Sequence, residues 1–167
     1  MAVVDEKKKV IEYPQGPLFG GGSEKVIQRP ISIAQADDNG SEYLLGEIPG
    51  EAVITGLACM NTLITGGTDF DLGFVDQNGN VIAGMADKLF DGIDMSSARA
   101  SMGSIAMNIG AANMGKTVAE LCGHVSKVVP AVGEVAAKAI YRIILKANTV
   151  GSADGTVVPQ VRYRDSI

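Results

Sequence analysis

Apolar and polar side chains alternate with a period of two through much of this chain, the mark of strands with one buried face. Over 68–75, Phe70, Leu72 and Phe74 alternate with Asp69, Asp71 and Gly73. Near the C-terminus, Val157, Pro159, Val161 and Tyr163 alternate with Val158, Gln160, Arg162 and Arg164. The stretch 52–65 is apolar in both phases. Val53, Leu57, Cys59 and Leu63 fall on one face, Ile54, Ala58, Met60 and Ile64 on the other. That suits a strand with one face in the core and the other covered by the fold or by a second subunit. Gly66-Gly67, Asn78-Gly79 and the Gly-rich stretch 151–155 stand where the chain must reverse.

The pattern predicts eight strands, over 26–33, 42–48, 52–65, 69–75, 80–86, 103–110, 132–147 and 156–164. Breakers separate them, among them Asp37-Asp38-Asn39-Gly40 and Pro49-Gly50. Many short strands at regular spacing predict an all-β antiparallel sandwich, and eight of them suit a jelly roll. One short helix is expected over 117–124, where Thr117 caps, Glu120 completes a capping box and Gly123 ends the turn. The stretch 91–100 reads as a turn of helix or a loop. Residues 1–25 show no useful periodicity and carry Pro14, Pro17 and Gly20-Gly21-Gly22. The chain therefore divides into an extended N-terminal arm, 1–25, and a sandwich body, 26–167. Ile11, Tyr13, Leu18 and Phe19 in the arm read as anchors for a neighbouring subunit, because they do nothing to solubilise a tail. Fully extended, the arm would reach about 80 Å at ~3.3 Å per residue.

Composition narrows the function. At 167 residues the chain suffices for one domain with a real core, and 21 glycines with no Trp fit a turn-rich β protein. A net charge of −5 offers no footprint for nucleic acid or an anionic membrane. The basic Lys7-Lys8-Lys9 is followed by no apolar signal region, and no apolar run reaches the roughly 20 residues of a membrane span. Cys59 and Cys122 are far apart, and in a cytosolic chain they are expected as free, buried thiols.

The chemistry-bearing candidates are few. Residues 110–117, Gly-Ala-Ala-Asn-Met-Gly-Lys-Thr, match G-x-x-x-x-G-K-[ST], with a short apolar stretch before and a helix after. Only fifty residues follow Thr117, no apolar run ending in Asp supplies a magnesium carboxylate, and the helix is short. The match reads as a loop and a helix cap, with no cofactor implied. Asp69, Asp71 and Asp76, with Asp91 or Asp94, are the carboxylates a cation could gather, yet alternation places Asp69 and Asp71 on a solvent face. They read as solvated, with no metal. His124, the sole histidine, reads as a helix-end residue rather than a general base. No catalytic residue is assigned.

Five segments carry a resemblance: RPISIAQADDNGSEYLLGEIP from Arg29, NTLITGGTDFDLGFVD from Asn61, LFDGIDMSSA from Leu89, GKTVAELCGH from Gly115 and LKANTVGSADGTV from Leu145. Through them the body resembles virion structural proteins of tailed bacteriophages, in particular the decoration or cement proteins of capsids. The resemblance implies a non-enzymatic protein, assembled in the host cytoplasm, that clamps major capsid protein subunits on the capsid exterior. It also implies a homo-oligomer, dimer or trimer, that binds neither nucleic acid nor membrane. The acidity agrees with a place outside the shell, away from packaged DNA. The alternatives are a glycan-binding jelly roll of a fibre or tail and, behind it, a P-loop nucleotide-binding protein.

Overall fold

A computed structural model of the protein describes residues 3–7, 24–127, 134–136 and 139–165. In one sheet β1 (Lys25–Gln28) and β2 (Ile31–Ile33) both pair with β11 (Gly155–Asp165), followed by β4 (Ala52–Asn61) and β7 (Arg99–Ile105). The second sheet runs β3 (Ser41–Pro49), β10 (Ile140–Thr149), β5 (Asp69–Asp76) and β6 (Phe90–Ile93). Every pairing within the two sheets is antiparallel. With β1 and β2 counted as one interrupted strand, this is the jelly roll, a long hairpin rolled so that successive strands alternate between sheets except at the β5–β6 hairpin, which stays in one. The helix α1 (Val118–Leu121) and a short parallel pair, β8 (Val125–Lys127) with β9 (Glu134–Ala136), lie between β7 and β10.

The core follows from the alternation. On β5 the buried Phe70, Leu72 and Phe74 stand beside Ala147, Leu145 and Ile143 of β10. Beyond these come Ser41, Tyr43 and Gly46 of β3. Phe70 thus stands beside the small Ala147 and Ser41, and the row of Phe74 and Ile143 ends on Gly46. Facing them on the other sheet are Val157, Val161 and Tyr163 of β11 with Ile54, Leu57 and Cys59 of β4.

Several elements differ from the sequence reading, each for a local reason. The strand expected over 26–33 is cut by Arg29-Pro30, since proline brings no N–H to the ladder. No strand forms over 80–86. The Asp76 carboxylate accepts the N–H groups of Asn78 and Asn80, both at 2.8 Å, which closes a turn. The segment 91–100, read as helix or loop, instead holds the end of β6 and the start of β7. Strand β7 stops at Ile105, well short of Gly110. On β4 a bulge between Ile54 and Gly56 leaves Thr55 without a register partner and flips the phase. Ala52 and Ile54 face the core before it, Leu57 and Cys59 after it, so Val53 does not share a face with Leu57.

Helix α1 matches its sequence signature in full. Thr117 and Glu120 form a reciprocal capping box. At the other end Gly123 (φ 76°) donates to the Glu120 carbonyl, and His124 donates to that of Ala119. This is a Schellman closure, which requires a left-handed residue at Gly123.

Candidate interaction surface and candidate sites

The N-terminal segment docks on the chain's own sheet. Glu6 N–H donates to the Glu42 carbonyl at 2.9 Å, and Glu42 N–H donates to the Val4 carbonyl at 2.7 Å. Residues 4–6 thus lie parallel to β3 and satisfy part of its edge. The Glu6 carboxylate accepts Leu44 N–H and the Arg29 guanidinium, each at 2.9 Å. Lys7 pairs with Glu42 at 2.5 Å, and its carbonyl accepts from Arg142 at 2.7 Å. The Glu42 carboxylate raises the Lys7 pKa. At the far end of the arm, Glu24 accepts from the Thr55 hydroxyl at 2.6 Å, and Lys25 pairs with Asp165 at 2.7 Å. The span 8–23 is therefore bracketed by two docked pieces. Ile11, Tyr13, Leu18 and Phe19 belong to that span and lie outside the described residues.

Glu6 and Arg29 hold the N-terminal segment on the sandwich, a role that sequence reasoning missed. Charge counting makes Glu6 one of several balanced arm charges, and only tertiary pairing singles it out. Glu6→Ala should cost about 1.5 kcal/mol, because a partly buried charged hydrogen bond is lost and the Leu44 N–H with it. Hydrogen exchange at Leu44 and Glu42 should accelerate in that variant. Unchanged exchange at both amides would mean that residues 3–7 do not hold the β3 edge.

The P-loop-like stretch is occupied with its own hydrogen bonds. Residues Ala111–Asn113 form a single 3-10 turn after Gly110. Lys116 Nζ donates to Asn113 Oδ1 at 2.8 Å, and the Thr117 hydroxyl belongs to the capping box. The helix behind it has only four residues, so little aligned dipole stands behind the loop. Both side chains that would hold a phosphate and its metal are engaged locally, Lys116 with Asn113 and Thr117 as the helix cap.

Among the acidic candidates, Asp69, Asp71 and Asp91 come together, with carboxylate oxygens within 4.8 Å of one another. Asp76 closes its own turn, while Asp94 accepts from Ser96 N–H at 2.8 Å. The expectation that Asp71 faces solvent is corrected, since it is 5% exposed. Asp71 lies on the β5 face opposite Phe70 and Leu72, the face it shares with Gly73, over which the backbone of Met85 and Ala86 passes, and both phases of that strand are buried. Its carboxylate accepts from Asn148 Nδ2 at 2.5 Å and from Gly92 N–H at 3.0 Å. Burial raises its pKa, the two hydrogen bonds oppose the shift, and repulsion from Asp69 and Asp91 adds to it.

The sign follows for stability. An acid whose folded pKa is raised above 3.8 favours the fold when protonated, and that contribution is lost as pH rises through the folded value. Asp71→Asn should therefore stabilise the protein at pH 7, with the gain fading as pH falls toward 3, where the acid is protonated folded and unfolded alike. Thermal melts of both proteins across that range check it. A destabilised variant at pH 7 would show that the charged hydrogen bonds outweigh burial and repulsion.

Among the remaining groups, His124 Nδ1 lies 2.6 Å from the Tyr141 hydroxyl, with the rings stacked at 5.9 Å. The histidine thus packs at the helix end against a buried tyrosine, whose pKa burial raises. Cys59 and Cys122 are free and buried, as expected, and burial pushes their thiols up to about 11 and about 12. Such thiols are poor nucleophiles at neutral pH. Shallow grooves line the end of the sandwich near Ala34, Gln35, Leu63 and Asp154. No described helix is long and apolar enough to cross a membrane.

No protein-family model and no curated protein matches the sequence. Two solved structures share the fold from end to end. One is a chain of the capsid of Ralstonia phage GP4, 14% identical over 100% of this chain and 99% of that one, with a TM-score of 0.58. The other is a chain of the cyanophage Pam1 capsid asymmetric unit, 18% identical over 96% and 95%, with a TM-score of 0.50. At these identities the likeness is one of fold.

Proposed function

We propose that this protein is a phage virion structural component, a decoration (cement) protein that clamps major capsid protein subunits on the capsid exterior as a homo-oligomer. The observation that carries the reading is the end-to-end match with a chain of a phage capsid, which leaves no part of this sandwich outside the shared fold. The described sites support a structural role. Lys116 is held by Asn113 and Thr117 caps a short helix, the histidine packs on a buried tyrosine, and both thiols are buried. The acidic chain suits a surface turned away from packaged DNA.

In this reading the clamp is the span 8–23, with Ile11, Tyr13, Leu18 and Phe19 entering pockets on a neighbour. Each large apolar side chain so buried contributes about 1.5–3 kcal/mol, against the entropy of ordering the span. Because residues 3–7 and Glu24 bind the same sandwich, the reach is that of a doubled-back loop, roughly 25 Å. The test replaces the four anchors by Ser while leaving residues 3–7 and 24–28 intact. Shells lacking the protein are mixed with wild type or with the variant, and occupancy and heat resistance are measured. The expected result is full occupancy by wild type and at least a tenfold weaker attachment by a variant that still melts normally. Equal occupancy by both removes the anchors from the clamp. Failure of wild type to bind any shell overturns the decoration role.

A further inference from the structure

The two outer faces of this sandwich differ in what covers them. On the β3–β10–β5–β6 sheet, Leu44, Ile144 and Val75 stand outside the core cluster and are still buried. The chain itself closes that side. Arg142 holds the Lys7 carbonyl, the backbone of Met85 and Ala86 passes over Gly73, and Val81 bridges to Val75. The outer face of the other sheet is open by comparison. Val26 of β1 is 53% exposed there, and Arg164 of β11 is exposed.

Arg162 lies at the centre of this open face, in one row with Val26 of β1 and Gly56 of β4. Its guanidinium rests over the glycine, where an added Cβ would come within 2.6 Å of Nη2 and 3.1 Å of Nε. Gly56, next to the bulge of β4, is thus the seat of the side chain. Two other arginines, Arg29 and Arg142, are ion-paired with Glu6 and Glu47. Arg162 has no such carboxylate among the described residues, and its Nε is buried without a hydrogen-bond partner. An unpaired buried donor is costly, and a guanidinium brings five of them. Along β1, β11 and β4 the outward positions carry Arg162 and Arg164 and no carboxylate, in a chain of net charge −5. Glu24, which precedes β1, is engaged by the Thr55 hydroxyl.

We propose that this face, centred on Arg162, seats the protein on the major capsid subunit, which brings a carboxylate to the guanidinium. The inference rests on the decoration reading and names its contact surface. Charge selects the occupant's chemistry, because an arginine with free donors calls for an anion and pairs a carboxylate through two parallel bonds. The course of the chain selects the subunit. The span 8–23 returns to the sandwich at Glu24, which is fixed on Thr55 beside Gly56. A subunit held by the anchors of that span therefore stands next to this face. An arginine flanked by an exposed apolar side chain is also the composition of an interface hot spot.

The test uses the full chain and shells lacking it. Arg162→Glu should weaken attachment roughly tenfold or more, and Arg162→Lys should weaken it too, since an ammonium keeps the charge and loses the fork. Gly56→Ala removes no charge, and its methyl displaces only the flexible end of Arg162. That variant should melt close to wild type and still attach roughly threefold more weakly. Lys88→Glu makes the same change in net charge within the segment fastened to β5 by Leu89 and should leave attachment unchanged. A photoreactive residue in place of Val26 should cross-link to the shell subunit, and one in place of Val81, 70% exposed on the other sheet's side, should not. If wild type attaches and folded Arg162→Glu and Gly56→Ala attach equally well, this face is overturned and the decoration reading stands. A Val26 cross-link made only to further copies of this chain does the same. No attachment by wild type overturns both.

Discussion

Replacing Gly73 by Ala should destabilise the sandwich by about 3 kcal/mol or more, although it adds a single methyl group. Gly73 sits in the middle of β5, opposite Ile144 of β10. Its missing side chain is the space through which the backbone of Met85 and Ala86 passes, and an added Cβ would overlap the Met85 carbonyl oxygen and the Ala86 carbonyl group. That crossing is fastened by hydrogen bonds on both sides, Phe74 N–H to the Met85 carbonyl at 2.8 Å and Leu89 N–H to the Leu72 carbonyl at 2.9 Å. No rotamer change relieves a clash with backbone, so the segment leading into β6 must lift away and give up those bonds. A loss of 3 kcal/mol lowers the melting temperature by roughly 6–12 °C in a chain of this size. Gly103→Ala is the control, because nothing lies within 4 Å of its added Cβ. If the two variants melt within a degree of each other, the 85–89 segment is not packed as described.

Phe74→Ala should cost about 3–5 kcal/mol, a large share of the stability of an ordinary domain. The ring is 1% exposed and belongs to the row Phe74–Ile143–Gly46 that crosses three strands of one sheet. Gly46 adds no side chain to that row, so the phenyl ring and Ile143 fill it by themselves. Truncation leaves a cavity that strands held by ladders on both sides cannot collapse to close. Denaturant unfolding should show a lower midpoint with an unchanged slope, since the fold persists. A loss below 1 kcal/mol would show that neighbouring side chains repack into the space.

Local signals in this protein were legible wherever one residue type has one physical use. Gly123 marks the end of α1 because only a residue that tolerates positive φ closes the Schellman turn. Thr117 with Glu120 announced the start, and the alternation of Phe70, Leu72 and Phe74 placed β5 with its core face. The same logic failed where a backbone partner changed the phase. The bulge at Thr55 swapped the faces of β4, and nothing in an apolar run reports which residue will lose its partner. The short β6 carries too few residues for a period to show, and Asp71 looked solvated because alternation counts faces and not what lies over them.

What the sequence determined by itself is the class: an antiparallel all-β sandwich, one capped helix, and an acidic chain without a legible catalytic set. Tertiary structure alone decided where the edges fall and what guards them. Glu6 reaches Arg29 and Leu44 only when the chain has folded back on β3, and β7 becomes an edge only because β4 takes β11 on its other side. Alternation is a property of single strands and is written locally. The order of strands in a sheet is a property of contacts distant in the chain, set by which apolar faces bury one another, and no short window of residues contains it.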